Sequence, residues 1–251
     1  MLYRSILTAA IVLTASGILA PQHIQAATIA GGSSSNALSA ALNVSGSASS
    51  LPNQAVASGT APPKYSKTTT VPTYNKTASL SGLTVTVAAK NISDTASSAG
   101  IDAKGGITAL SGASIGSVNA TLSSPLGTAL TVAATKLVSS ASFATTKAGV
   151  GTPTGTASIG SLTINSPAFG ITNVKFPLPT KPNVHTPTVN QILYHNSDNS
   201  VVLYLNRQTT KTTAGKVSSL AVSAVVLHVK NFQTSGVTVS GDINVATSNA
   251  N

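Results

Sequence analysis

Leu83-Thr84-Val85-Thr86-Val87 is the stretch that decides the fold. Apolar and polar residues alternate with period two, which sends one set to a core face and the other to solvent, as a half-buried strand requires. Little elsewhere opposes this reading. Glutamate is absent, glutamine is rare and β-branched residues crowd the apolar runs, all of which favours strand over helix. The Ala-rich stretch from Ser97 to Leu110 is the one helix candidate.

A short pattern recurs around that strand. Thr77-Ala78-Ser79-Leu80-Ser81-Gly82-Leu83-Thr84-Val85 resembles Gly112-Ala113-Ser114-Ile115-Gly116-Ser117-Val118-Asn119-Ala120. Thr156-Ala157-Ser158-Ile159-Gly160-Ser161-Leu162-Thr163-Ile164 matches both, and a looser copy runs from Val217 to Val222. Unequal intervals argue against a strict solenoid and for similar strands laid together. The expected fold class is all-β, a sandwich or irregular stack of short antiparallel strands. The same repeat bears on catalysis, because Gly112-Ala113-Ser114-Ile115-Gly116 fits a nucleophile elbow, which needs a helix after its turn. No helix is predicted there, and Thr77 and Thr156 replace Gly112 in the sister copies, so Ser114 belongs to a strand-start pattern.

Further along, Gln191 to His195 and Val201 to Leu205 flank the turn-rich Asn196-Ser197-Asp198-Asn199-Ser200, which predicts a hairpin. Val201, Leu203 and Leu205 share one face while Val202 and Tyr204 share the other, so the second strand is expected to be covered on both sides. The stretch 176–187 carries Pro177, Pro179, Pro182 and Pro187 and is expected to cross between sheets or mark a sub-boundary. Its Pro179-Thr180-Lys181-Pro182 matches a PxxP ligand but reads as a connector.

Toward the N-terminus the texture changes. Residues 27–76 are rich in Ser, Ala and Gly and then in Pro and Thr, which predicts a flexible lead-in to a β-rich domain at 77–251. Before it, Arg4 precedes an uncharged apolar run from Ile6 to Leu19, and Pro21 breaks that run upstream of Ala26. Residues 1–26 read as a secretory signal, with cleavage after Ala26 or Ala27. The run is shorter than the ~20 residues that span a bilayer. Leu220 to Val229, the longest apolar stretch downstream, is interrupted by Ser223 and His228. No transmembrane segment is therefore expected after signal removal, and the expected location is secreted, cell-surface or periplasmic.

Composition narrows the function classes. With 41% hydrophobic and 7% charged residues the chain is expected to bury a core, and zero cysteines exclude a disulfide scaffold and any thiolate metal site. The net charge of +10 would suit nucleic acid only if basic residues clustered with aromatics. They are scattered singly, the nearest approach being Lys64, Lys67 and Lys76 beside Tyr65 and Tyr74, so solubility and edge protection are the expectation and nucleic acid is not. Attraction to an anionic envelope polymer is the remaining reading of the charge. The acidic residues are Asp94, Asp102, Asp198 and Asp242, each expected at a turn, which leaves no carboxylate pair for glycoside hydrolysis and no oxygen cluster for calcium. No cofactor, metal site or catalytic residue is expected. His228 is expected as a hydrogen-bonded core residue on the face of Val222, Ala224 and Val226. Thr84-x-Thr86 is not repeated along the chain, so a flat ice-binding array is not expected.

In order, Thr156 to Asn165, Val201 to Thr209, Leu220 to Val229 and Asp242 to Ala250 resemble the bacterial choice-of-anchor P proteins over roughly residues 77–251. The resemblance implies an exported, β-rich protein and no particular activity. Family members often carry an acidic residue where Arg207 stands, and Asn251 follows no sorting motif, which sets this chain apart. The expected function is a noncatalytic secreted or cell-surface structural protein, a matrix component that self-associates through strand edges. The alternative is a glycan-binding or adhesive module in which Tyr194 and Tyr204 face one another across the hairpin beside Asn206 and Arg207.

Overall fold

The structure, a computed structural model, describes residues 31–251 apart from 45, 55, 81–82, 125–126, 147–150, 168–169, 183–184, 214–215 and 235–236. The signal segment 1–26 lies outside the described residues. In chain order the strands are β1 (Gly31–Val44), β2 (Ser47–Gln54), β3 (Ala57–Ala61), β4 (Tyr65–Leu80), β5 (Leu83–Ile101), β6 (Ile107–Ser124) and β7 (Gly127–Thr145). They continue with β8 (Gly151–Ser166), β9 (Ile171–Phe176), β10 (Gln191–His195), β11 (Val201–Thr213), β12 (Lys216–Thr234) and β13 (Val237–Ala250). Sheet A runs β10-β11-β12-β13-β1-β2, with β3 pairing the half of β1 that β2 leaves free. Sheet B runs β4-β5-β6-β7-β8-β9, and every pairing in both sheets is antiparallel. The all-β expectation holds.

One apolar cluster joins the two sheets. Its centre is a row laid across sheet B, Ile92-Ile115-Leu137-Ile159, paired in register and each no more than 2% exposed. Burying each such side chain contributes about 1.5–3 kcal/mol. Elsewhere small residues let the sheets approach closely. Ser139 Oγ and Ser248 Oγ, both fully buried, lie 2.8 Å apart and bridge β7 to β13, while Ser35 Oγ on β1 donates to the Thr95 carbonyl of β5 at 3.2 Å. Hydrogen-bonded hydroxyls fill this interior without the penalty of an unpaired buried polar group.

Each long strand inverts once. On β5 the buried residues are Val87 and Ala89, then Ile92, Asp94, Ala96 and Ser98, so Lys90 and Asn91 both face outward and the inward parity changes. β6 changes between Ile115 and Val118, β7 between Ala134 and Leu137, and β8 between Ile159 and Leu162. Register is unbroken through these points, since Lys90 pairs Ser117 and Ile92 pairs Ile115, leaving Asn91 opposite Gly116. The inversions therefore form a single crease across the sheet. Asn91 and Lys136 supply it with left-handed backbones, φ +54° and +50°. Glycines alternate with them across the strands: a Cβ on Gly116 would sit 2.9 Å from Asn91 Cβ, and one on Gly160 would sit 2.8 Å from Lys136 Cβ. Sheet A has its own crease, with Asn206 at φ +47° on β11 and Ala246 at φ +50° on β13 flanking Ala224 on β12. There two successive residues face inward, as in Leu205-Asn206, Ala224-Val225 and Val245-Ala246.

The recurring Ser-Ile-Gly-Ser now has a physical meaning. In β6 and β8 its Ile joins the central row, its Gly lies in the crease and the next apolar residue, Val118 or Leu162, is inward three positions later. The copy at Thr77–Val85 differs, because it spans the β4–β5 hairpin, where Leu80 pairs Leu83.

Three expectations are corrected. The segment 27–76 is not a flexible lead-in, for from Gly31 onward it supplies β1, β2, β3 and most of β4, and β1 is an interior strand hydrogen-bonded to β13. Its small residues are what the close sheet approach requires, with Ser33 and Ser35 buried and a Cβ on Gly31 only 3.2 Å from Ile107. The domain accordingly begins before residue 77. Ser97 to Leu110 is not a helix but the end of β5, a turn and the start of β6, with Asp102 Oδ1 accepting from the Lys104 and Gly106 N–H groups at 2.8 Å. Asp94 is not in a turn either: it is buried within β5. The 176–187 connector does cross between sheets, its His185 carbonyl accepting from Ile159 N of sheet B at 2.9 Å and its Pro187 carbonyl from Asn206 Nδ2 of sheet A at 3.0 Å.

Candidate functional site

The β10–β11 hairpin forms as its sequence predicts, with Asp198 Oδ1 accepting from Ser200 N in the turn. That hydrogen bond holds the Asp198 carboxyl below the usual carboxylate range. An irregularity between Ile192 and Tyr194 then decides where the tyrosines point. Tyr204 pairs with Ile192, while Tyr194 pairs with the fully buried Leu203 and packs against the core. The two rings therefore lie on opposite faces, and the expected platform of Tyr194 and Tyr204 is not formed. A Cβ on Gly170 would be 3.4 Å from the Tyr194 hydroxyl, which places that ring beside the β8–β9 turn.

Asn206 is also reassigned. It is 4% exposed, its Nδ2 donates to Pro187 O, its Oδ1 accepts from Gln208 Nε2 at 3.1 Å and its carbonyl accepts from Asn190 N at 2.9 Å. These bonds tie the connector to the crease and leave Asn206 no surface role. Arg207, immediately beyond the inversion, points outward. Its guanidinium lies 4.0 Å from the centroid of the Tyr204 ring, a cation–π contact.

Tyr204 and Arg207 are the wall of a depression of about 240 Å³ on the outer face of sheet A. The crease creates it, since residues on both sides of the inversion line it: Tyr204 and Arg207 on β11, Ser223 and Val226 on β12, Asn244 and Thr247 on β13. Val226 is 5% exposed and forms an apolar floor, and Ser223 Oγ and Thr247 Oγ1 lie 2.9 Å apart beside it. A second depression of about 310 Å³ adjoins the first, sharing Thr209 and Ala221 and carrying Lys211 on its rim. Arg207, Thr209 and Lys211 follow one another at period two on the same strand face. The two depressions make one polar groove.

At its far end His228 Nδ1 and Asp242 Oδ1 are 2.6 Å apart, paired in register between β12 and β13. Both side chains are partly exposed, 40% and 47%, so His228 belongs to the outer face and not to the core, and Asp242 lies within β13 and not at a turn. The sequence reading missed this pair, which emerges only when the β12–β13 register is known. Of the two serines on the same depression, Ser223 stands five residues from His228 along β12, about 16 Å in extended chain, and Ser39 stands on β1 opposite Asn244, two residues from the partner of Asp242. Ser114 is likewise mid-strand, its Oγ donating to the Ser93 carbonyl at 3.3 Å.

The outer face of sheet B is lined by hydroxyls. Thr77, Thr86, Thr121 and Thr131 form one row across four strands, an array built between strands where the sequence repeats none along them. Many of these groups bond one another, as in Thr135 with Ser161 at 2.7 Å and Ser140 with Thr156 at 2.9 Å. The array is broken by the crease, by Lys90 and by exposed Val138 and Leu110. Among the described residues no helix is long and apolar enough to cross a membrane. Compared with known proteins, the chain matches no family model and no curated protein.

Proposed function

We propose that this chain is a noncatalytic exported protein of the cell surface or extracellular matrix that works by binding a glycan along the creased outer face of sheet A. The observation that carries the reading is the continuous polar groove from His228 and Asp242 past Tyr204 and Arg207 to Lys211. It combines an apolar floor with closely spaced hydroxyl and amide groups, the mixture that sugar rings and their hydroxyls demand. The resemblance to choice-of-anchor P proteins and the signal-like residues 1–26 support export. Ala221 sits where the two depressions meet, so Ala221→Tyr fills the groove from the surface. Retention of the mature protein on cell-wall or matrix polysaccharide, lost in Ala221→Tyr, is the expected result; equal retention of both proteins removes the groove, and retention on no glycan removes the reading.

Self-association through strand edges is the second reading, and the long outer edge of β4 favours it. Pro72 interrupts that edge, and Lys67 and Lys76 would face each other in a two-fold pairing of β4 with its copy. Sedimentation over a wide concentration range tests it, a monomer throughout being the result that removes it.

A further inference from the structure

Resting on the glycan reading, we infer that the groove selects an anionic polysaccharide, one bearing carboxylates, with Arg207 as the residue that reads the charge. Arg207 is the one arginine beyond the signal segment in a chain whose other strong bases are lysines. Arginine at this position has a physical advantage. The guanidinium lies over the Tyr204 ring, a contact that restrains its planar fork of N–H donors, the group that meets a carboxylate with two parallel hydrogen bonds. Lysine cannot supply that fork.

Charge along the groove fits the same ligand. Lys211 lies on the same face four residues on, about 13 Å from Arg207. The one acidic side chain lining the groove, Asp242, is paired to His228 at the opposite end, so Arg207 and Lys211 meet no acidic side chain in their half. A net charge of +10 adds long-range attraction for any polyanion. One feature favours a uronate polymer over nucleic acid: the Tyr204 face that would stack a base is occupied by the guanidinium. Between the cations, Thr209, Ser219 and Asn249 offer partners for sugar hydroxyls.

The test compares polygalacturonate with its fully methyl-esterified form, which keeps the sugar backbone and removes the charge, alongside single-stranded DNA. The mature wild-type protein is expected to bind the acid at least about tenfold more tightly than the ester, with affinity falling as salt rises. Arg207→Gln is expected to lose that preference, Arg207→Lys to recover only part of it, and Lys211→Gln to weaken acid binding without touching the Tyr204 stack. Unchanged melting curves establish that each variant is folded. Equal binding of acid and ester, or wild-type preference in both Arg207→Gln and Lys211→Gln, overturns the inference and leaves the glycan reading standing. Binding of neither polymer, nor of any other glycan, overturns both, and DNA binding as tight as polygalacturonate overturns the ligand class.

Discussion

Lys136 carries a left-handed backbone that an L-residue with a Cβ adopts at a penalty of about 1–2 kcal/mol, while its neighbour Gly160 has no Cβ because Lys136 occupies that space. A left-handed residue and a crease glycine make opposite predictions. Lys136→Gly is expected to raise stability by about 0.5–1 kcal/mol in urea unfolding, since it relieves strain at an exposed site. Gly116→Ala is expected to lower it by about 1–3 kcal/mol, because the new methyl meets the Asn91 Cβ in a sheet that cannot shift without breaking register. Asp198 belongs to the same scale. Its carboxyl is held below its ordinary range by the Ser200 N–H, so its contribution is present above the unfolded pKa and vanishes as pH falls through the folded one. The melting difference between wild type and Asp198→Ala is therefore expected at neutral pH and is lost in acid as pH falls through the lowered folded pKa. A difference that persists in acid would mean that the side chain acts through something other than its charge.

At the scale of the element, the creases explain both what could be read in the sequence and what could not. Ser-Ile-Gly-Ser announced strands and a repeated role, and the turn at Asn196–Ser200 announced a hairpin, because local chemistry alone dictates them. The inversions were hidden because a period-two search loses phase at each one and reads an eighteen-residue strand such as β6 as fragments. Asparagine inside a strand pattern was the available signal, since Asn91 and Asn206 both hold left-handed backbones where the phase slips. The site suffered from the same slip. One irregularity in β10 sent Tyr194 and Tyr204 to opposite faces, and Arg207 points outward only because Asn206 inverts the strand. β4 supplies a prediction of its own. Pro72→Thr restores a donor to the outer edge, and Lys76→Thr removes a like-charge contact, so the double variant is expected to associate in sedimentation at concentrations where wild type does not. Identical sedimentation of the two would show that this edge is protected by some other means.

For the molecule as a whole, the decisive strand is β1, which composition assigned to a linker. It closes sheet A between β13 and the β2–β3 pair, and backbone bonds from Gly32 N to Asn251 O at 2.7 Å and from Asn251 N to Gly32 O at 2.9 Å fasten its start to the end of the chain. Removing residues 31–61 would expose the β13 edge and uncover the interior that Ser33 and Ser35 help fill. A chain beginning at Lys64 is expected to melt more than about 10 °C below one beginning at Gly31, and to aggregate. Equal melting temperatures would restore the view of this segment as a tether.

The crease in sheet B also decides which guests the open edge of β4 can accept. A straight strand laid along it stays in step only as far as Pro72 and then presents its side chains to the wrong side, whichever half it matches first. A full-length guest must break step at the same height, as the neighbouring strands of the sheet already do. The edge thereby turns away the flat, uninterrupted segments from which unwanted fibrils grow.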